Sequence, residues 1–199
     1  MSAPTLFNAP ATEPIALADA KLHLRIESDE TADDALVTAL IAAARQQAEH
    51  ETGCRLVTQT WKWMLDAFPS GEESIRLHAS LWPVQSVSAI QYVDSTGALR
   101  TMNSALYSLD AVNAPGYVFL ASGAAWPSDV ADSANAVTLT VVSGYGAAAD
   151  VPHAIRQWML LQIGAMYRNR EAFSEQRNVT ALPNRFVDRL LDPFRLVGV

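Results

Sequence analysis

Glu51-Thr52-Gly53-Cys54-Arg55-Leu56-Val57-Thr58-Gln59-Thr60-Trp61-Lys62-Trp63-Met64-Leu65 is the stretch where one periodicity gives way to another. Before it, Leu36, Val37, Leu40, Ile41, Ala44 and Ala48 recur at helical spacing, so Ala32 to Thr52 reads as a long amphipathic helix. Thr31 is the expected N-cap, with Asp34 three residues on, and Asp33 and Asp34 sit where the helix dipole favours negative charge. Gly53 falls at the C′ position, where a left-handed residue stops a helix. After it, Trp61, Trp63 and Leu65 alternate within a β-branched and aromatic run, the pattern of a strand.

Outward from this switch the two periodicities sort the whole chain. Upstream, Pro14-Ile15-Ala16 leads into a short helix, about Leu17 to Leu24, with Leu17, Ala20, Leu22 and Leu24 as its apolar side. A polar loop, Glu27-Ser28-Asp29-Glu30, separates the two helices. Downstream, strands are expected at Ser74–His78, Val84–Val93, Ala98–Met102, Tyr107–Leu109, Tyr117–Leu120 and Val137–Val142, with a turn at Asp94–Gly97. No helix alternates with them, which argues against a doubly wound sheet and for a small antiparallel sandwich or barrel. Helix then returns: Pro152 is placed as its first residue, and Ile155, Trp158, Met159, Leu161, Met166 and Tyr167 carry it to about Arg170. Its apolar surface is too broad for a single stripe, which predicts burial or contact with other subunits. A last helix is expected over Asn184 to Leu191, stopped by Pro193. The expected fold class is therefore α+β, a helical bundle built from both chain ends (1–56 and 150–199) with a small antiparallel β domain inserted at 57–149.

Composition narrows the function. Half of the 199 residues are apolar and 18% are charged, enough apolar side chain for a real core and against wholesale disorder. The formal charge of −7 is a poor match for wrapping duplex DNA through phosphate contacts. The charge is uneven: residues 1–56 hold four bases and nine acids, residues 57–149 three and seven, and residues 150–199 seven and five. All seven of those C-terminal bases are arginine, a residue suited to bidentate pairing with carboxylates, so an acidic protein surface is a fitting partner there. The single cysteine, Cys54, excludes an internal disulfide and a cysteine-rich metal centre. The opening Met-Ser-Ala-Pro-Thr lacks a basic and apolar leader pattern, and no apolar run reaches the length of a membrane span, so neither secretion nor membrane insertion is expected.

Chemistry-bearing constellations are thin. His23, His50, His78 and His153 show no metal-ligand spacing; His50 and Cys54, four apart, would supply only two ligands. Gly144-Tyr145-Gly146 fits neither a dinucleotide fingerprint nor a P-loop and reads as a strand-end turn. No nucleophile elbow occurs. No enzyme activity, cofactor or metal is expected. A second function class stays open at this point: a ligand- or carbohydrate-binding module whose β domain presents Trp61, Trp63 and Trp126, to be judged by the exposure of those indoles.

The order of short motifs resembles the tailed-phage head–tail connector, or adaptor, family, also found in prophages and gene transfer agents. The match begins at Pro14-Ile15-Ala16-Leu17 and Ala20-Lys21-Leu22-His23-Leu24-Arg25 and runs through Asp33-Asp34-Ala35-Leu36, Leu40–Arg45 and Thr52-Gly53. It continues with Thr58-Gln59-Thr60-Trp61, Leu65–Pro69, Pro83–Val87, Tyr92-Val93-Asp94, Trp126-Pro127 and Gly144-Tyr145-Gly146. Val151-Pro152, Tyr167–Glu171 and Leu190–Arg195 close it. The resemblance implies a ring of about a dozen copies in the virion neck, assembled in the host cytoplasm. Such a ring would contact the portal protein on one side and a neck or tail completion protein on the other. DNA would pass through its channel without sequence-specific binding. It also implies portal docking by the C-terminal segment, with Arg168, Arg170, Arg177, Arg185, Arg189 and Arg195 as the contacts, and it carries over no catalytic residue.

Overall fold

A computed structural model describes residues 2–71, 73–169, 187 and 189–196. Among the described residues three α-helices of eight residues or more, α1 (Leu17–Leu24), α2 (Asp34–Thr52) and α3 (His153–Arg168), pack on one another. Between α2 and α3 the chain forms β2 (Gln59–Leu65), β3 (Ser74–Arg76), β4 (Val84–Val93), β5 (Leu99–Thr101), β6 (Tyr107–Asp110), β7 (Tyr117–Leu120) and β8 (Val137–Ser143). Together with β1 (Thr5–Asn8), which lies ahead of the helices, these seven make two antiparallel sheets, one of five strands and one of three, so the described chain is α+β.

The five-stranded sheet has one strand not expected from periodicity. β1 (Thr5–Asn8) precedes all the helices and pairs with the outer edge of β2, giving the order β1-β2-β8-β4-β5. All four of its residues are exposed, so it buries no face and leaves no alternation to read. The Ser2 carbonyl behind it accepts from Trp63 Nε1 at 3.0 Å, and the Ser2 hydroxyl donates to the Met64 carbonyl at 2.9 Å. β8, by contrast, alternates cleanly: Val137, Leu139, Val141 and Ser143 are buried and the residues between them are half-exposed. Paired to β2 on one side and β4 on the other, it is the central strand.

Two apolar clusters follow from these layers. One joins the helices, with Ile15, Ala20, Val37, Ile41, Ala44 and Ala48 meeting Ile155, Trp158, Met159, Ile163 and Leu191. The other lies between the sheets, where Trp63, Leu77, Leu81, Ile90, Val118, Leu139 and Val141 interdigitate. A fully buried side chain of this size contributes roughly 1.5–3 kcal/mol by leaving water.

Several boundaries differ from expectation, each for a local reason. α2 starts at Asp34 with Asp33 as N-cap, and no side chain caps it; Thr31 instead accepts from the Asp34 N–H through its carbonyl. Gly53 ends α2 in the left-handed region at φ 72°. On α1, Leu22 is 79% exposed although it was assigned to the apolar side, while Lys21 is buried. Lys21 reaches the carbonyls of Ser28 and Glu30 and the Asp34 carboxylate (2.9 Å), so its charge is satisfied inside and Leu22 is turned outward. Pro152 is the N-cap of α3, and α3 ends at Arg168. Of the expected helix at Asn184–Leu191, Val187 is helical and residues 184–186 and 188 lie outside the described residues; Pro193 sits within a 3-10 turn at Asp192–Phe194.

Candidate assembly interface

The helices meet the sheets at a buried polar junction. Glu49, 6% exposed near the end of α2, accepts through Oε1 from the Leu56 N–H (3.1 Å) and from Gln59 Nε2 (2.7 Å). Its other oxygen faces Arg45 at 3.3 Å and Arg55 at 3.7 Å. Arg45 also holds Glu13 at 2.8 Å, tying the segment ahead of α1 to the same point. Arg55 donates from Nε to the Ser80 carbonyl (2.7 Å) and lies 4.0 Å above the Trp61 ring. Burial favours the neutral form of Arg55 while Glu49 favours the charged one, and the net direction is downward from the ordinary guanidinium value. A carboxylate with four donors from three segments fixes their relative position more firmly than apolar contact alone.

A second seam closes the same junction. Gly144, at φ 120°, lets its N–H reach the Pro83 carbonyl at 2.8 Å, and a Cβ there would collide with the Val57 backbone. Tyr145 donates from its N–H to Leu56 (3.0 Å), and Gly146 accepts from Thr58 (2.9 Å). The Gly144-Tyr145-Gly146 motif is thus the strand-end turn read from its spacing.

The C-terminal turn docks onto the end of α2. The Leu196 N–H donates to the Thr52 carbonyl (3.0 Å), the Cys54 thiol to the Phe194 carbonyl (3.3 Å), and Arg195 faces Glu51 at 3.3 Å and Asp192 at 3.2 Å. Cys54 is buried and its thiol pKa is pushed up by that burial, whereas His50 is exposed, so the two do not form a ligand pair. Among the described residues no group of three or more potential ligands could hold a metal, and no helix is long and apolar enough to cross a membrane.

Of the six arginines expected at a partner surface, Arg168 is exposed in the last turn of α3, Arg189 is exposed in a turn, and Arg195 is engaged as above. Arg170, Arg177 and Arg185 lie outside the described residues. The three indoles weighed as a ligand platform are taken up by the fold. Trp63 is buried, Trp61 is half-buried under Arg55, and half-buried Trp126 stacks on Phe68 with ring centroids 5.1 Å apart.

Sequence reasoning missed the Glu49 hub and the outward Leu22. A signal for the first was present: Arg45 and Glu49 are four apart, interrupting the stripe of Ile41, Ala44 and Ala48. Leu22 helps to line an open cleft of about 760 Å³ between α1 and α3, beside Ile15, Asp19, His23, His153, Arg156 and Leu160.

Comparison with known proteins gives this geometry a context. Residues 14–96 match the family of phage gp6-like head-tail connector proteins. No curated protein matches the chain in sequence. A chain from a structure titled as the neck of an empty gene transfer agent (GTA) particle computed with C6 symmetry superposes with a TM-score of 0.79 at 23% identity, covering 100% of this chain and 97% of that one. A chain of the virion of a native gene transfer agent particle gives 0.73 at 22% identity, covering 98% and 96%. One from the neck of a native particle computed with C12 symmetry gives 0.70 at 24%, covering 98% and 97%. Residues 14–96 are therefore similar to phage gp6-like head-tail connector proteins, within a fold that the chain shares over its whole length with chains of gene transfer agent particles.

Proposed function

We propose that this protein is a structural connector of a tailed particle. It forms a ring in the neck, contacts a portal protein on one side and a neck or tail completion protein on the other, and leaves a channel for DNA. The observation that carries this reading is the similarity to connector proteins at residues 14–96 combined with likeness to a neck chain over 100% of this one. The helical core supports a bundle drawn from both chain ends, residues 1–56 with 150–199, and the separate cluster between the sheets supports an inserted β domain at 57–149. β1 crosses that division by joining the sheet. The role is architectural, not catalytic. An acidic ring lumen would repel the DNA backbone and let it slide.

Within this reading Arg168, Arg170, Arg177, Arg185, Arg189 and Arg195 face the portal. Exposed charge reversals cost folding little. The double variant Arg168→Glu/Arg170→Glu is expected to keep the native melting temperature and to lose co-sedimentation with the portal. Undiminished co-sedimentation would return those arginines to ordinary solvated positions.

A further inference from the structure

We infer that the cleft between α1 and α3 is a docking site for a second copy of this chain, which inserts its acidic loop at residues 27–30. The inference deepens the connector reading and rests on it, since it supplies the contact between neighbours in the ring.

The cleft has an apolar floor and a polar rim that includes one arginine. Leu22, 79% exposed, and Leu160 supply apolar surface, while His23, His153 and Arg156 supply donors and Asp19 one carboxylate. Arg156 Nε is buried with no hydrogen-bond partner among the described residues. A buried guanidinium nitrogen left without an acceptor is costly, so this side chain is incompletely satisfied within the chain, and half-buried Arg156 on the cleft wall offers its guanidinium to an entering carboxylate.

The occupant is carried by the same chain on the opposite flank of α1. Glu27, Asp29 and Glu30 are all exposed, three acids in four residues. Lys21 pins the backbone of this loop by donating to the Ser28 carbonyl at 3.2 Å and to the Glu30 carbonyl, so the carboxylates project from a fixed frame. Glu27 and Asp29 have no ion-pair partner among the described residues. At about 100° per residue, Asp19 and His23 fall on the cleft flank of α1, Ala18 and Lys21 on the loop flank, and Leu22 between them facing out. With Arg156 of α3 in the cleft on one side of α1 and the acidic loop on the other, the pairing is a heterologous, head-to-tail contact, the type that closes into rings. Single exposed ion pairs are weak, so the charges set register and partner choice while Leu22 supplies the buried apolar area.

Charge exchange tests the contact. Assembly on portal is followed by negative-stain electron microscopy and sedimentation, with native rings as the reference. Arg156→Glu alone and Glu27→Arg/Asp29→Arg alone are each expected to raise the concentration for half-assembly about tenfold, and the combined chain is expected to recover most of it. Thermal unfolding of each variant identifies any that fails to fold. A second measurement does not depend on charge. A chain with Asp29→Cys mixed with a chain with His153→Cys is expected to give a mixed disulfide dimer on oxidation within assembled rings, the buried native Cys54 staying unreacted. Native rings with no mixed disulfide, or a combined variant no better than the singles, overturns the loop-in-cleft contact and leaves the connector reading standing. Failure of the native chain itself to ring or to bind portal overturns both.

Discussion

Glu49 is the residue on which the junction turns. Removing one partner of a buried charge cluster leaves the others uncompensated, so Glu49→Leu is expected to cost about 3–5 kcal/mol, measured by denaturant unfolding. A loss under about 1 kcal/mol would mean that the cluster is solvated rather than structural. Asp94 makes a second residue-scale case. It accepts from the Thr96 hydroxyl (2.5 Å), the Arg100 guanidinium (2.7 Å) and the Ala98 N–H (2.9 Å). These, led by Thr96, hold its carboxyl well below the ordinary carboxylate range. A carboxylate with a depressed folded pKa adds stability that is present above its unfolded pKa and is lost as pH falls through the folded value. Stability should therefore decline as pH drops below about 4, and Asp94→Asn should flatten that decline in a pH series of unfolding curves. An unchanged acid slope in Asp94→Asn would contradict this. Gly144→Ala puts a Cβ into the Val57 backbone at a left-handed φ and is expected to cost more than about 1 kcal/mol.

At the scale of elements, β1 is an edge strand that buries none of its own residues yet covers the edge of β2 and caps Trp63. Deleting residues 1–9 is expected to lower Tm by about 4–8 °C, the shift that corresponds to roughly 2 kcal/mol in a chain of this size. No change in Tm would show that β1 docks without contributing. Elements with a buried face were legible in the sequence, and so was β5, which is wholly exposed but follows the turn signal at Asp94–Gly97. α1 and the strands at Val84–Val93 and Tyr117–Leu120 stand where periodicity put them, because one-sided burial imprints a period of 3.6 or 2. β1 left no imprint because it has no buried face. Of the Glu49 hub only the Arg45–Glu49 spacing was visible: its other donors come from Arg55, Leu56 and Gln59, and convergence of loop and strand groups is a property of the fold, not of spacing. Leu22 was misplaced because Lys21, buried by its bonds to the following loop, rotates the apolar stripe away from it.

For the whole molecule, two apolar clusters held by one polar junction make a body of two parts with a defined angle between them. A ring subunit needs that property, because an angular error in each copy accumulates around the circle. The exposed large apolar residues include Leu22 by the cleft, Leu6 and Phe7 on β1, and Leu99, Leu106, Val112 and Phe119 farther along the chain. They fit surfaces covered in an assembly, where apolar area is buried between copies. The resemblance read from motif order reached the same class that the match at residues 14–96 supports. The contacts that build the ring could not be read that way, since they depend on which flank of α1 each charge occupies.

The most direct measurement is an electron-microscopic reconstruction of the purified chain incubated with the portal of the same particle. The expected result is a closed ring of this protein seated coaxially on the portal, with the helices at the contacts between copies and an open central channel. Absence of both portal binding and any ring, across concentrations and salt conditions at which the chain remains folded, would contradict the connector function.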